Sequence, residues 1–142
     1  MGISIYYTAR REHGLDTRER ERIAGILAEE NRDLSERLNR SLPGWKEEGI
    51  VPEHVTDAGE ICEEFGFYAV DGSEEPGVVL RGSTKVSHGD CGIEPMLAQL
   101  ERYMSSTLGR LRSALPGTEW DVHVDDQTLI WDEENGEYAF TS

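Results

Sequence analysis

Leu97, Leu100, Met104, Leu108, Leu111 and Leu115 recur at helical spacing between Pro95 and Pro116-Gly117. Met96 can take the place of Leu97 at the start of this stripe. An apolar stripe this long covers one side of an α-helix and has to be buried against another layer of structure. Proline suits the first turn of a helix and Pro-Gly stops one, so the spacing predicts a helix from Pro95 to Leu115.

The flanking segments say what that other layer is. Ile3, Ile5 and Tyr7 alternate with Ser4, Tyr6 and Thr8, and Trp120, Val122 and Val124 alternate with Asp121, His123 and Asp125. Alternation of this kind marks half-buried strands. Asp16 followed by Glu19 forms a capping-box-like start for a first helix, which carries Ile23, Leu27, Leu34 and Leu38 on one face and ends at Leu42-Pro43-Gly44. Trp45 to Gly59 reads as a connector, with one helical turn near Glu53 to Ala58. Ile61 to Val70 and Val78 to Val86 read as strands around a loop over 71–77, and Ser87 to Gly92 as a second loop. Thr128 to Trp131 and Tyr138 to Phe140 flank Glu133-Glu134-Asn135-Gly136 as a terminal hairpin. The order β-α-β-β-α-β implies a single α+β domain over residues 1–142. Its antiparallel sheet carries two helices on one face in the ferredoxin-like (split βαβ) manner, with a C-terminal β-hairpin extension.

Charge narrows the partners. The chain holds 29 acidic and 14 basic residues in 142, for a net charge of −15. An excess of this size repels nucleic acid and anionic membranes and favours cationic partners. It is also regional. Through Leu42 eight acids meet eight arginines, whereas downstream 21 acids face six bases, and eight acids follow Arg112 with no Lys or Arg among them. No run is long and apolar enough to span a bilayer, and the first residues lack a basic-then-apolar leader, so a cytoplasmic location is expected. In that setting Cys62 and Cys91 are expected to be reduced.

Three constellations could carry chemistry. Asp121, His123 and Asp125 share one face of a strand, with Asp126 next to them and Tyr6 as a neighbour on the first strand. A carboxylate, an imidazole and a second carboxylate in this pattern could hold a divalent metal or move a proton. His88 and Cys91 lie three residues apart before a helix, an arrangement that can activate a thiol. Trp131 and Tyr138 sit among the carboxylates of the terminal hairpin, with Glu133 and Glu134 at its tip, as aromatic anchors with an acidic rim. Gly77 to Lys85 superficially resembles a phosphate loop but lacks the Gly-Lys-Ser/Thr order, and no dinucleotide fingerprint is present. No cofactor is implied.

The stretches Tyr6-Tyr7-Thr8-Ala9-Arg10-Arg11, Gly82-Ser83-Thr84-Lys85 and Leu115 to Asp126, with Trp131-Asp132, resemble those of small uncharacterised proteins of high-GC Gram-positive bacteria. That group has no assigned activity, so the resemblance carries over no catalytic residue. In size and acidity the chain is also similar to bacterial immunity proteins that neutralise toxins. The expected function is therefore a non-catalytic interaction module for a basic partner. The surface would be formed by Asp121, His123, Asp125, Asp126, Trp131, Glu133, Glu134 and Tyr138. The alternative is a small metal-dependent enzyme or metal- or ligand-binding protein using His123 with Asp121 and Asp125.

Overall fold

The computed structural model describes residues 2–71, 75–89 and 91–141. The strand β1 (Ser4–Arg10) lies inside the sheet, where Ile5, Tyr7 and Ala9 are fully buried and Tyr6 is exposed. β1 pairs antiparallel with β3 (Val78–Lys85) on one side and β4 (Glu119–Val124) on the other. The two-residue β2 (Ala69–Val70) edges β3, while β5 (Gln127–Asp132) and β6 (Glu137–Phe140) continue beyond β4. The antiparallel sheet thus has the order β2-β3-β1-β4-β5-β6. The link from β4 to β5 is narrow, with only His123↔Thr128 and Val124↔Gln127 in register.

The helices supply the rest of the core. In α1 (Thr17–Glu47) the expected capping box is present: Glu19 N–H donates to Asp16 Oδ1 at 2.8 Å and Asp16 N–H to Glu19 Oε1 at 3.0 Å. Its inward face comprises Ile23, Ile26, Glu30, Leu34, Leu38 and Leu42. These residues, up to Leu38 and except Glu30, join Ile5, Tyr7 and Ala9 of β1 and Leu100, Leu108 and Leu111 of the second helical rod in one apolar cluster. A smaller cluster of Leu42, Val51, Val55 and Ile61 lies under the connector. Among the described residues no helix is long and apolar enough to cross a membrane.

Three boundaries depart from the sequence expectation, each for a local reason. Pro43 does not end α1 but lies within it, exposed, so its ring meets solvent. The turn beyond it is fastened by half-buried Trp45, which touches both clusters, and by Glu48 N–H donating to Gly44 O at 3.0 Å. Gly49, at φ 77°, then takes the left-handed conformation that stops the helix. The second rod begins at Ile93, with Gly92 rather than Pro95 at its cap. It runs as α2 (Ile93–Arg102), a π-turn (Tyr103–Thr107) and α3 (Leu108–Ala114). The wider turn shifts the apolar face, so Tyr103 and Thr107 are buried, Met104 is half-buried and Leu97 is exposed.

The third departure is the strand expected over Ile61 to Val70, which shrinks to β2. Buried Phe65 obtains its backbone partners from a side chain instead. Asn31 of α1 donates Nδ2–H to Phe65 O at 2.9 Å and accepts Phe65 N–H at Oδ1, also at 2.9 Å. Tyr7 holds the next residue, donating its hydroxyl to Gly66 O at 2.5 Å and stacking on the Phe65 ring with centroids 4.1 Å apart. Burial pushes the Tyr7 phenol up to about 12, so it stays protonated. A Cβ at Gly82 would collide with the Gly66 carbonyl and the Tyr7 ring, so only glycine permits this approach of connector and β3. A short helical turn does form in the connector, at Ala58–Glu60, capped by Asp57.

Candidate functional site

Strand register brings Asp121 and His123 of the first constellation onto one face with Tyr6. Thr8 pairs with Asp121 and Tyr6 with His123 across β1 and β4, and Tyr6 and His123 stack with centroids 4.9 Å apart at 15°. Asp125 is at φ 50°, a left-handed position that Asp tolerates, in the two-residue turn Asp125-Asp126 that joins β4 to β5. The turn is tied to β1 from both sides of the backbone. Asp125 N–H donates to Ser4 O at 3.0 Å, and Ser4 N–H donates to Asp125 Oδ1 at 3.1 Å. His123 Nδ1 lies 2.5 Å from Asp125 O, as a donor to that carbonyl.

These contacts decide the chemistry. One oxygen of Asp125 and one nitrogen of His123 serve the turn, and Asp121 lies two residues back along the strand, a step of about 7 Å. Among the described residues no three His, Cys, Asp or Glu side chains form a group that could hold a metal ion. Asp121 and His123 stand on one face of β4, whereas Asp125 lies in the turn beyond it, and the three form no such group.

The terminal hairpin places its aromatics differently from the sequence expectation. Tyr138 is buried at 4 % exposure and Trp131 is half-buried, so Tyr138 is not an exposed anchor. The two rings meet at 5.1 Å, and the Arg112 guanidinium of α3 lies 4.4 Å above the centre of Trp131 while donating Nη1–H to Tyr138 O at 2.9 Å. Gly109 of α3 admits the hairpin, since a Cβ there would sit 3.4 Å from both the Trp131 ring and Gly136 O. The hairpin thus folds onto α3 and turns its rings inward. Its carboxylates stay outside: Glu133 and Glu134 are exposed at the tip. Asp132 accepts from the Glu134 and Asn135 backbones and from Asn135 Nδ2, which holds its carboxyl below the usual range.

Among the described residues no ion pair uses an acid beyond Glu101. Among the described residues, the eight carboxylates after Arg112 therefore have no ion-pair partner. Exposed Tyr6, at 39 %, and Ile130, at 52 %, supply apolar surface beside them.

The His88–Cys91 pair is not assembled as a nucleophile and base. His88 turns to the helix, where its Nε2 lies 3.2 Å from Nε2 of fully buried Gln99, and burial pushes its pKa down. Gln99 Nε2 also reaches Pro95 O at 3.2 Å, which makes the amide the donor and the imidazole nitrogen the acceptor. Cys91 faces the connector cluster instead. Asp90, between them, lies outside the described residues, as do Gly72, Ser73 and Glu74 of the β2–β3 loop.

Sequence reasoning missed a second concentration of charge. Glu30, 3 % exposed in the middle of α1, receives Arg102 through Nε and Nη2, both at 2.9 Å, and Arg110 at 3.0 Å. Thr107 donates to it at 2.7 Å and Ser106 at 3.1 Å. Burial alone would raise this carboxyl, but the four donors outweigh it and hold it down at about 2. The π-turn is what brings Ser106 and Thr107 to it. A signal existed: Glu30 stands four residues after Ile26 and four before Leu34, in register with an apolar stripe where a lone charge needs buried partners. A groove of about 570 Å³ borders this network, between Arg22, Gly25 and Glu29 of α1 and Gly109 and Arg110 of the second rod. It does not include the acidic face of β4.

No family model matches the chain, and no curated protein or solved structure is significantly similar to it.

Proposed function

We propose that this chain is a cytoplasmic, non-catalytic interaction module whose C-terminal acidic surface docks a basic protein, a toxin domain being one concrete candidate by analogy with acidic immunity proteins. The single observation that carries this reading is that, among the described residues, none of the eight carboxylates after Arg112 enters an ion pair, whereas Glu19, Glu29, Glu30 and Asp33 of α1 each do. Carboxylates left unpaired over a contiguous strand, turn and hairpin tip offer a partner complementary charge at little desolvation cost to the free protein. They would speed association and set specificity. Tyr6, stacked on His123, and Ile130 are the apolar contacts available at the same surface, and they replace Trp131 and Tyr138 in the anchoring role.

The architecture proposed with it is the ferredoxin-like one. The order β2-β3-β1-β4 and the β-α-β-β-α-β sequence of elements support two interleaved βαβ units with both helical rods on one face, extended by the β5–β6 hairpin. The alternation along β1 of buried residues with half-buried ones and exposed Tyr6 supports an open second face carrying Tyr6, Asp121 and His123.

The test compares wild type with an Asp121→Asn/Asp125→Asn/Asp126→Asn variant as immobilised bait for host lysate at low and high salt. Asparagine keeps the left-handed turn at Asp125. The expected result is a basic protein held by wild type at low salt, released by high salt and not held by the variant. If no basic protein distinguishes the two baits, the proposal fails.

A further inference from the structure

The fold packs two cysteines that are 29 positions apart in sequence against one small apolar cluster. Cys62 follows the turn Ala58–Glu60, its N–H donating to Ala58 O at 2.9 Å. Cys91 precedes α2, its N–H donating to His88 O at 2.9 Å. Both are half-buried, and both rest on the small cluster formed by Leu42, Val51, Val55 and Ile61. The same region is cross-tied by Gly92 N–H donating to Ile50 O at 2.9 Å, which seats the loop before α2 on the connector. No disulfide joins them in the structure.

We propose that Cys62 and Cys91 form a reversible thiol–disulfide latch, closed by a low-molecular-weight disulfide, that fastens the connector to the loop preceding α2. The two thiols have distinct parts. Cys62 touches the main core as well as the small cluster. Burial first, and the neighbouring Cys91 second, push its pKa up to about 12, so it is a poor attacking group. Cys91 packs against the outer cluster and is the attacking thiol. Its thiolate displaces one thiolate from the small disulfide, giving a mixed disulfide on Cys91. That step removes the negative charge that opposed ionisation of Cys62. Cys62 then passes its proton to solvent, its sulfur attacks the Cys91 sulfur, and the second small thiolate leaves. Overall two protein thiols are oxidised to one disulfide and one small disulfide is reduced to two thiols. The latch uses none of the acidic surface, so it stands or falls separately from the proposed docking function.

The experiment treats the full chain with oxidised glutathione, quenches it by alkylation, and reads intact mass, peptide map and thermal midpoint. The expected wild-type product is two hydrogens lighter, yields a peptide cross-linked between Cys62 and Cys91, and melts roughly 10 °C higher until reductant reverses the change. Cys62→Ser is expected to stop at a stable glutathione adduct on Cys91, and Cys91→Ser to remain unmodified while folded. The latch is overturned if wild type stops at the adduct. Bridging between two chains, or failure to react when folded while the urea-unfolded chain reacts fully, would overturn it equally.

Discussion

Glu30 and Asp121 carry the same charge and are treated in opposite ways. Glu30 is taken out of water and met by two guanidinium groups and two hydroxyls from the second helical rod, so its charge joins α1 to the π-turn. Asp121 stays exposed on β4 and, among the described residues, enters no ion pair. The difference teaches that net charge by itself says little about this chain. Eight acids and eight arginines through Leu42 sum to nothing, yet they include the buried, four-donor carboxylate of Glu30. The eight acids after Arg112 have no Lys or Arg among them, and among the described residues none of them enters an ion pair. Burial, and not composition, divides structural charge from charge left for a partner.

The largest effect expected from this contrast is at Glu30. Glu30→Ala leaves Arg102, and in part Arg110, facing a partly buried void, and should cost ~3–5 kcal/mol of unfolding free energy in a denaturant titration. A loss no larger than that of Asp121→Asn would break the comparison. The pH dependence sharpens it. The folded Glu30 carboxyl titrates near 2 against an ordinary 4.5, so its contribution is complete above about pH 4.5 and disappears as pH falls toward 2. Glu30→Gln should therefore show a flatter decline of stability across that window than wild type.

A middle effect is expected at Arg112, the last cation of the chain. Removing its guanidinium loses the stacking over Trp131 and the hydrogen bond to Tyr138, so Arg112→Ala should destabilise by about 1–2 kcal/mol. Trp131 fluorescence should shift to the red as the hairpin loosens from α3. An unshifted spectrum would show that the hairpin is held by other contacts. The smallest effect belongs to the exposed acids. Asp121→Asn/Asp125→Asn/Asp126→Asn should change stability by no more than about 0.5 kcal/mol, with a slight gain at low salt as repulsion is relieved. A large loss would mean that these carboxylates support the fold.

Much of the architecture was legible in the chain because alternation and helical spacing are direct consequences of burial on one side. β1, β3, β4 and the terminal hairpin fall where their patterns place them, and Asp16 with Glu19 caps α1 as written. What was not legible depends on contacts across long sequence distances. Nothing near Pro43 announces that Trp45 will secure another turn, and nothing near Phe65 announces that Asn31, 34 residues earlier, will serve its backbone. The π-turn likewise answers to Glu30, more than 70 residues away. The shared face of Asp121 and His123 with Tyr6 follows from strand period, so that part of the site could be read. The inward turn of Tyr138 could not, because it depends on Gly109 and Arg112 of a different element.

The Asn31 amide has one further consequence. By satisfying both backbone groups of Phe65 it ends the need for a longer ladder there, and β2 is left with two paired residues at the margin of the sheet. A margin that short presents almost no row of open N–H and C=O groups to another chain, and so gives little template for cross-strand growth into fibrils. One side chain on α1 thereby protects this flank of the sheet from self-association, at a place where the chain carries Tyr68 and Val70 exposed.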